Sequence, residues 1–341
     1  MLTRNLLLLI STLVWLSCTK DPIEPKVEPP VVVPTDTTKN EPTFPKDKYE
    51  IRKVQLQMSE LFADDNIDEQ VYLGGIWHLK DTIEGPRLES LESKAKKVKF
   101  HFLSHNDASV DLGFFEPSYN NVLNYANKFE KSKQVSSIIF SSSTFEDYAQ
   151  IQGYLGNSKD VKKILSLVKR GDSTTINKTN STLRVSNVNK LTLFIDYTEY
   201  HDAYPDSEVA VFTKAGYSPY VLSSVTYGTH TILMGETDST RVSLNTAIDK
   251  ILDNKTLDEL DIKVLDCSRL LLYYRGGGKS SFIQYPAGAK AIKTALSDML
   301  LYKKQTENSF NNPLTYDFMS LQDYSTLRYY NIFDIRVKKQ K

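Results

Sequence analysis

Four stretches of this chain have the Val, Ile, Tyr, Thr and Phe content of β-strands but run well past the usual strand length of about 5–6 residues. They are residues 190–204, 220–234, 261–274 and 314–330. Strands of that length imply a large antiparallel sheet, and the 20 tyrosines fit a strand-rich body. Helical spacing falls between them. Residues 120–129 and 244–252 place apolar side chains on one face, and residues 160–169 do so through Val161, Ile164, Leu165 and Val168. The stretch 287–301 satisfies two periods at once: Ile292, Ala295, Leu296, Met299 and Leu300 form a helical stripe, while Ala287, Ala289, Ala291, Ala295, Met299 and Leu301 share one side of an extended strand. Residues 171–190, rich in Ser, Thr and Asn, read as a long surface loop, and loops of that length are more often functional than idle.

The N-terminus sets the compartment. One positive charge at Arg4 precedes an apolar run over residues 6–16, too short to span a bilayer as a helix, and then Ser17-Cys18. That is a signal-peptide pattern, and its end resembles the lipobox of bacterial lipoproteins, with Trp15 standing where an aliphatic is usual. The expectation is an exported protein, either lipidated at Cys18 and held at the outer membrane or cell surface, or secreted. Residues 19–48 hold seven of the thirteen prolines and read as an extended tether. Cys267 is then the one cysteine of the body and has no partner for an intramolecular disulfide.

The 42 basic residues equal the 42 acidic ones, so no global field draws the chain to nucleic acid. His101 and His105 have the spacing of a zinc pair but lie in an alternating, strand-like stretch, where they do not share a helical face. Gly276-Gly277-Gly278 followed by Lys279-Ser280 suggests a phosphate loop, but that motif needs glycine where Tyr273 stands. No nucleophile–base constellation can be assembled from five scattered histidines. The expectation is a protein without catalytic residues, metal or cofactor.

The residues Tyr227-Gly228-Thr229-His230 resemble the Tyr-Gly-Thr-His signature of membrane-attack/perforin proteins, and the surrounding 218–239 resembles the equivalent strand of the cholesterol-dependent cytolysins. Further matches follow in order. Tyr72-Leu73-Gly74-Gly75 is similar to the cytolysins' Tyr-Pro-Gly segment, Pro117-Ser118-Tyr119 to their Pro-Thr-Tyr, and residues 140–155 to the approach to their first inserting cluster. Gly276-Gly277-Gly278 falls at their double glycine, and residues 312–316 resemble their Pro-Ile-Ser-Tyr strand. The resemblance covers roughly residues 50–335 and implies an α+β fold: a bent central antiparallel β-sheet flanked by two helix clusters.

Because Lys341 follows closely on the last matched strand, the resemblance also implies that the cytolysins' C-terminal β-sandwich, with its cholesterol-recognising loops, is absent. It implies further that Tyr227, Gly228, Thr229 and His230 act as a hinge; Gly276, Gly277 and Gly278 permit positive φ at no steric cost, so a strand ending there is expected to swing away and expose its neighbour's edge. Two segments, Asp160 to Lys190 and Ala287 to Asn312, are expected to refold into membrane-inserting hairpins within a homo-oligomeric ring, making a transmembrane β-barrel. A longer cytolysin-like partner is expected to supply recognition of the membrane lipid. The domain reading is a signal peptide at 1–18, a tether at 19–48, a pore-forming domain at 49–335 and a basic tail at 336–341. The competing reading is a surface-anchored scaffold or binding lipoprotein on the same fold that does not insert.

Overall fold

The computed structural model describes residues 49–63, 71–80, 87–91, 98–103, 110–128, 137–195, 203–278, 280–307 and 309–339. The expected signal peptide, Cys18, the proline-rich tether and His105 lie outside the described residues. Two long strands organise the rest: β8 (Asn180–Ile195) and β9 (Pro219–Thr237) pair antiparallel along almost their whole length. On one side of β9 lies β10 (Ser268–Arg275), whose outer edge is covered over only three residues by β11 (Phe282–Gln284). On the far side of β8 lie β7 (Ser137–Ser143), along its first part, and β5 (Val98–Leu103), along its last. β6 (Val110–Phe115) continues the sheet beyond β5. Where β9 begins, it pairs with β3 (Ile76–Lys80) and β12 (Thr315–Ser320). These carry β4 (Arg87–Leu91) and β2 (Glu60–Phe62) in turn. The result is an 11-stranded sheet, and a separate two-stranded ribbon joins β1 (Tyr49–Met58) to β13 (Tyr329–Lys338).

β9 and β10 read as near-continuous apolar runs because helices bury both of their faces. Ile232, Met234, Leu271 and Tyr273 point to one side, into a core with the turn Tyr148–Ile151, α2 (Gln152–Leu155) and α3 (Lys159–Val168). Leu233, Leu270, Leu272 and Tyr274 point to the other, under α4 (Arg241–Leu252), α5 (Glu259–Asp266) and α6 (Ala289–Thr306). Two further helices, α1 (Tyr119–Lys128) and the Asp206–Lys214 helix, lie at the end of the sheet where β9 begins, contributing Val122, Ala126 and Val209 to a third core. A helix of 12 residues is marginal alone in water, so α4 depends on burying Leu244, Ala247, Ile248 and Ile251. Side-chain caps set where the helices start. Ser158 accepts from the Val161 amide at 3.2 Å and Thr240 from Ser243 at 3.1 Å, and Asp258 forms a capping box with Asp261.

Several expectations shift. The stretch 261–274 is not one strand: α5 runs to Asp266, and β10 begins only at Ser268. Cys267 accordingly caps a helix, half-buried, with its thiol donating to the Val264 carbonyl at 3.2 Å, rather than lying within a strand. Residues 314–330 divide into β12 and the start of β13 around a turn in which Tyr324 has φ 59°. β13 extends to Lys338, so the basic tail assigned to 336–341 begins inside the ribbon. The polar stretch 171–190 is half strand, since Asn180 onward belongs to β8, held between β7 and β9.

The sheet carries a β-bulge at its centre. The β8–β9 register slips between Asn189 and Leu191, leaving Lys190 as an extra residue opposite Gly228 and Tyr227. Such a bulge bends its strand and sharpens the local twist. A Cβ built on Gly228 would stand 1.9 Å from the Val188 carbonyl oxygen, so a glycine is the residue that lets the two backbones approach at the bend. Gly228→Ala is expected to lower the unfolding free energy by roughly 2 kcal/mol or more, measured by urea denaturation. An unchanged midpoint would show that this approach is not a feature of the folded chain.

Candidate functional site

The region of interest is the stretch of sheet from the bulge to the ends of β9 and β10, with the chain packed on its two faces. At the bulge, the Lys190 ammonium reaches the Glu307 carbonyl at the C-terminal end of α6, 2.5 Å away, where burial holds its pKa below the usual lysine value. Tyr227 is buried and meets Phe310 edge-on at 5.8 Å, so both residues flanking the bend on this side lean on the segment that follows α6.

That same segment clamps the middle one of the three glycines, Gly277. The Gly277 carbonyl accepts from the Ser309 hydroxyl at 3.1 Å and the Asn312 amide at 3.2 Å. A Cβ on Gly277 would lie 1.6 Å from the Ser309 carbonyl oxygen, and one on Gly276 would lie 2.5 Å from the Tyr274 hydroxyl. None of the three has positive φ. Close packing is what requires glycine here: Gly277 against the chain after α6, Gly276 against Tyr274, and Gly278 against Tyr302 and Thr306 of α6.

Topology singles out two segments. Residues 144–179 join β7 to β8, and residues 238–267 join β9 to β10; in each case the two strands are antiparallel neighbours in register. The joining chain of each pair is folded as helix and loop against the sheet. The expected segment Ala287 to Asn312 is different, because α6 links β11 to β12, which do not pair. Its double period resolves as helix, with Ile292, Ala295, Leu296 and Met299 buried and Leu301 exposed.

The two joining segments are fastened differently. The first is strapped by the ribbon: Asn331 donates to the Gln152 carbonyl at 2.6 Å, the Arg336 amide to Asp147 at 2.7 Å and the Lys338 amide to Glu146 at 2.7 Å. Leu56 and Phe333 pack against Gly153. It is also tied to the sheet by buried charge. Glu236, fully buried, accepts from Arg170 at 2.6 Å and from the Asn177 amide at 2.5 Å. The second segment is held by the apolar stripe of α4, by surface pairs of Lys250 with Asp258 at 2.8 Å and Arg184 with Asp249 at 2.6 Å, and by a part-buried pair of Lys250 with Asp261 at 2.6 Å. The surface pairs contribute little.

His230 closes the site. It lies opposite Asn187 on β8 and Arg275 on β10, beside a cavity of about 10 Å³ lined also by Phe62, Leu155, Asp160 and Tyr273. That is room for about one water. Its Nε2 has no hydrogen-bond partner among the described residues. Burial, reinforced by the Arg275 guanidinium, holds its pKa down to about 4, so the ring is neutral at ordinary pH. His101 is buried too and stacks on Phe194 at 5.5 Å, as a core residue would. Among the described residues no group of His, Cys, Asp and Glu is arranged to hold a metal.

No family model matches the chain, and no curated protein matches it in sequence. Solved structures do match. A non-hemolytic pneumolysin from Streptococcus pneumoniae strain ST306 aligns with TM-score 0.60 at 17% identity, over 85% of this chain and 65% of that one. Listeriolysin O aligns with TM-score 0.55 at 15% identity, over 85% and 64%. The human-specific toxin intermedilysin aligns with TM-score 0.57 at 15% identity, over 85% and 65%. The chain has the fold of the cholesterol-dependent cytolysins, and it spans about 65% of the length of the solved chains it matches.

The pKa of His230 has a consequence for acid stability. Between about pH 6.5 and pH 4 the unfolded chain binds this proton and the native one does not, so the contribution is intact above that window and is lost as pH falls through it. Asp317, pushed up to about 6 by burial and by Glu60, has the opposite sign but is common to wild type and variant. His230→Gln is expected to lose roughly 2–3 kcal/mol less stability than wild type between pH 7 and pH 4. Parallel stability–pH curves for the two proteins would contradict the buried, neutral ring.

Proposed function

We propose that this chain is a pore-forming protein whose subunits assemble into a ring, each contributing two β-hairpins to one transmembrane barrel. Among the described residues no helix is long and apolar enough to cross a membrane, which leaves strands free to do so. In lipid an open sheet edge would leave backbone polar groups unsatisfied, so insertion by strands requires a closed barrel and hence many subunits.

One observation carries the reading. In α4 and α5, Val242, Leu260 and Ile262 are 74%, 66% and 42% exposed, positions a water-facing helix surface does not need to be apolar. Drawn out as strands, those residues fall into line. Val242, Leu244 and Ile248 alternate with Ser243, Asn245 and Asp249, and Leu260, Ile262 and Val264 alternate with Glu259, Asp261 and Lys263. The helix leaves exposed what a lipid-facing strand would use. Carrying the β9–β10 register onward from Thr237 opposite Ser268 would set Val242 against Lys263. A shift of one residue, the kind of bulge already present in β8, sets Val242 against Val264 and Leu244 against Ile262.

We therefore place the inserting segments at 144–179 and 238–267 rather than at Asp160 to Lys190 and Ala287 to Asn312. Each joins adjacent antiparallel strands, so each can lengthen both into a hairpin without changing the order of the sheet. A strand crossing a bilayer needs about 9–11 tilted residues, and both segments can supply two. In the first segment, continuing the register of Ser143 with Leu183 places Phe145, Ala149, Ile151, Gly153 and Leu155 on one face, opposite Thr175 and Ser173. That face is uncharged from Ala149 to Leu155 but only partly apolar.

Ring closure would join the exposed edge of β7, with Ile138, Ile139 and Phe140 each more than half exposed, to the edge of β10 that β11 covers. Membrane recognition is assigned to a longer cytolysin-like partner, and export with lipidation at Cys18 to the N-terminal signal. Liposome dye release, with and without such a partner, tests the reading. Thr182 and Asn245 meet across β8 and α4 at 2.9 Å. A Thr182→Cys/Asn245→Cys disulfide, in a Cys267→Ser background, is expected to abolish leakage until reductant restores it. Leakage that is the same locked and unlocked would rule out refolding of 238–267, and membrane-bound monomers without rings would favour a non-inserting scaffold.

A further inference from the structure

Two carboxylates are buried where the first joining segment meets the β10 edge, and the pore-forming reading gives neither a role. Asp160, at the start of α3, accepts from Ser281 at 2.5 Å and Tyr273 at 3.2 Å, with the Arg275 guanidinium 3.6 Å away. All three partners belong to β10 or to the residue just before β11. Glu236, on β9, accepts from Arg170 and from the Asn177 and Lys178 amides, all on segment 144–179, and from Tyr285, just after β11, at 3.2 Å. Arg170 also donates to the Tyr285 hydroxyl at 2.8 Å. Thus the residues flanking β11 on both sides, Ser281 and Tyr285, reach acids that also bind segment 144–179 to the sheet.

A buried carboxylate is tolerated only while its donors stay in place. If β11 swings off β10, Asp160 loses its shortest hydrogen bond, and the Glu236–Arg170 pair loses the hydroxyl between them. If segment 144–179 lifts away instead, Glu236 loses three of its four donors, and Ser281 and Tyr273 lose Asp160. Either departure weakens what holds the other.

We propose that Asp160 and Glu236 are positioning residues that fasten segment 144–179 and β11 into one unit, so that uncovering the β10 edge and freeing the first hairpin are a single linked event. Its functional meaning, that β11 leaves the β10 edge together with the release of the first hairpin, rests on the pore-forming reading. The linkage itself is a property of the water-soluble chain and is tested without a membrane.

Linkage is reciprocal, so a change made on one side must be read on the other. The full-length chain is compared by hydrogen exchange with Ser281→Ala and Tyr285→Phe, which each remove one hydroxyl and keep the buried charges, and with Arg170→Met. The two hydroxyl variants are expected to speed amide exchange within residues 145–168 on the order of tenfold, the effect of one lost buried hydrogen bond. Arg170→Met is expected to speed exchange at residues 282–285 by at least as much, with residues 241–266 unchanged in every case. Faster exchange confined to the neighbourhood of each substitution, or spread equally into 241–266, would overturn the proposal. Because wild-type dye release is measured separately, a chain that shows the linkage but forms no pore would refute only the pore-forming reading.

Discussion

Everything in this fold depends on β9 and β10 being buried on both faces by chain that joins sheet strands to one another. Strands so buried can be almost wholly apolar, as Ile232-Leu233-Met234 and Leu270-Leu271-Leu272 are, because each face has its own helical cover. The cover is not an independent layer. On one face it is residues 144–179, continuous with β7 and β8; on the other it includes residues 238–267, continuous with β9 and β10. Removing either cover exposes the sheet face beneath it, and the same chain then becomes available to lengthen the strands it came from.

The two covers are held by different physics. The second relies on the apolar stripe of α4 and on ion pairs at the surface, which salt screens and which contribute little. The first is held by the β1–β13 ribbon and by buried carboxylates, Glu236 and Asp160, whose partners must leave together. On the proposed pore-forming reading, that contrast would let the two hairpins be released by different events. The bend at Lys190 and Gly228 lies between the covers and the rest of the sheet, and α6 with its following chain touches both the bend and the three glycines.

Much of this was legible in the sequence, and the failures are physically informative. The Tyr-Gly-Thr-His stretch pointed to β9 and to a glycine at a bend, because no other residue fits a 1.9 Å approach to Val188. Residues 261–266 share the strand-like composition of 261–274, but the Asp258–Asp261 capping box, a signal present in the sequence, starts a helix there. Ile262 and Val264 alternate with charged neighbours, and that alternation is the strand face the pore-forming reading uses. The start of β8 was hidden because Asn180 to Ser186 is held by two paired neighbours rather than by its own composition. The buried acids were invisible for a related reason: Asp160 and Ser281, or Glu236 and Arg170, are brought together only by the sheet.

The central claim is that residues 238–267 exchange a helical pair for an extended one in lipid. Single cysteines carrying an environment-sensitive fluorophore, placed one at a time from Val242 to Asp249 and from Glu259 to Val264 in a Cys267→Ser background, report the polarity around each position in liposome-bound protein. The account predicts a signal that alternates every second residue, apolar at Val242, Leu244, Leu260, Ile262 and Val264 and aqueous at Ser243, Asn245, Asp261 and Lys263. A signal that repeats every three to four residues on the membrane, as on the soluble helices, would contradict it.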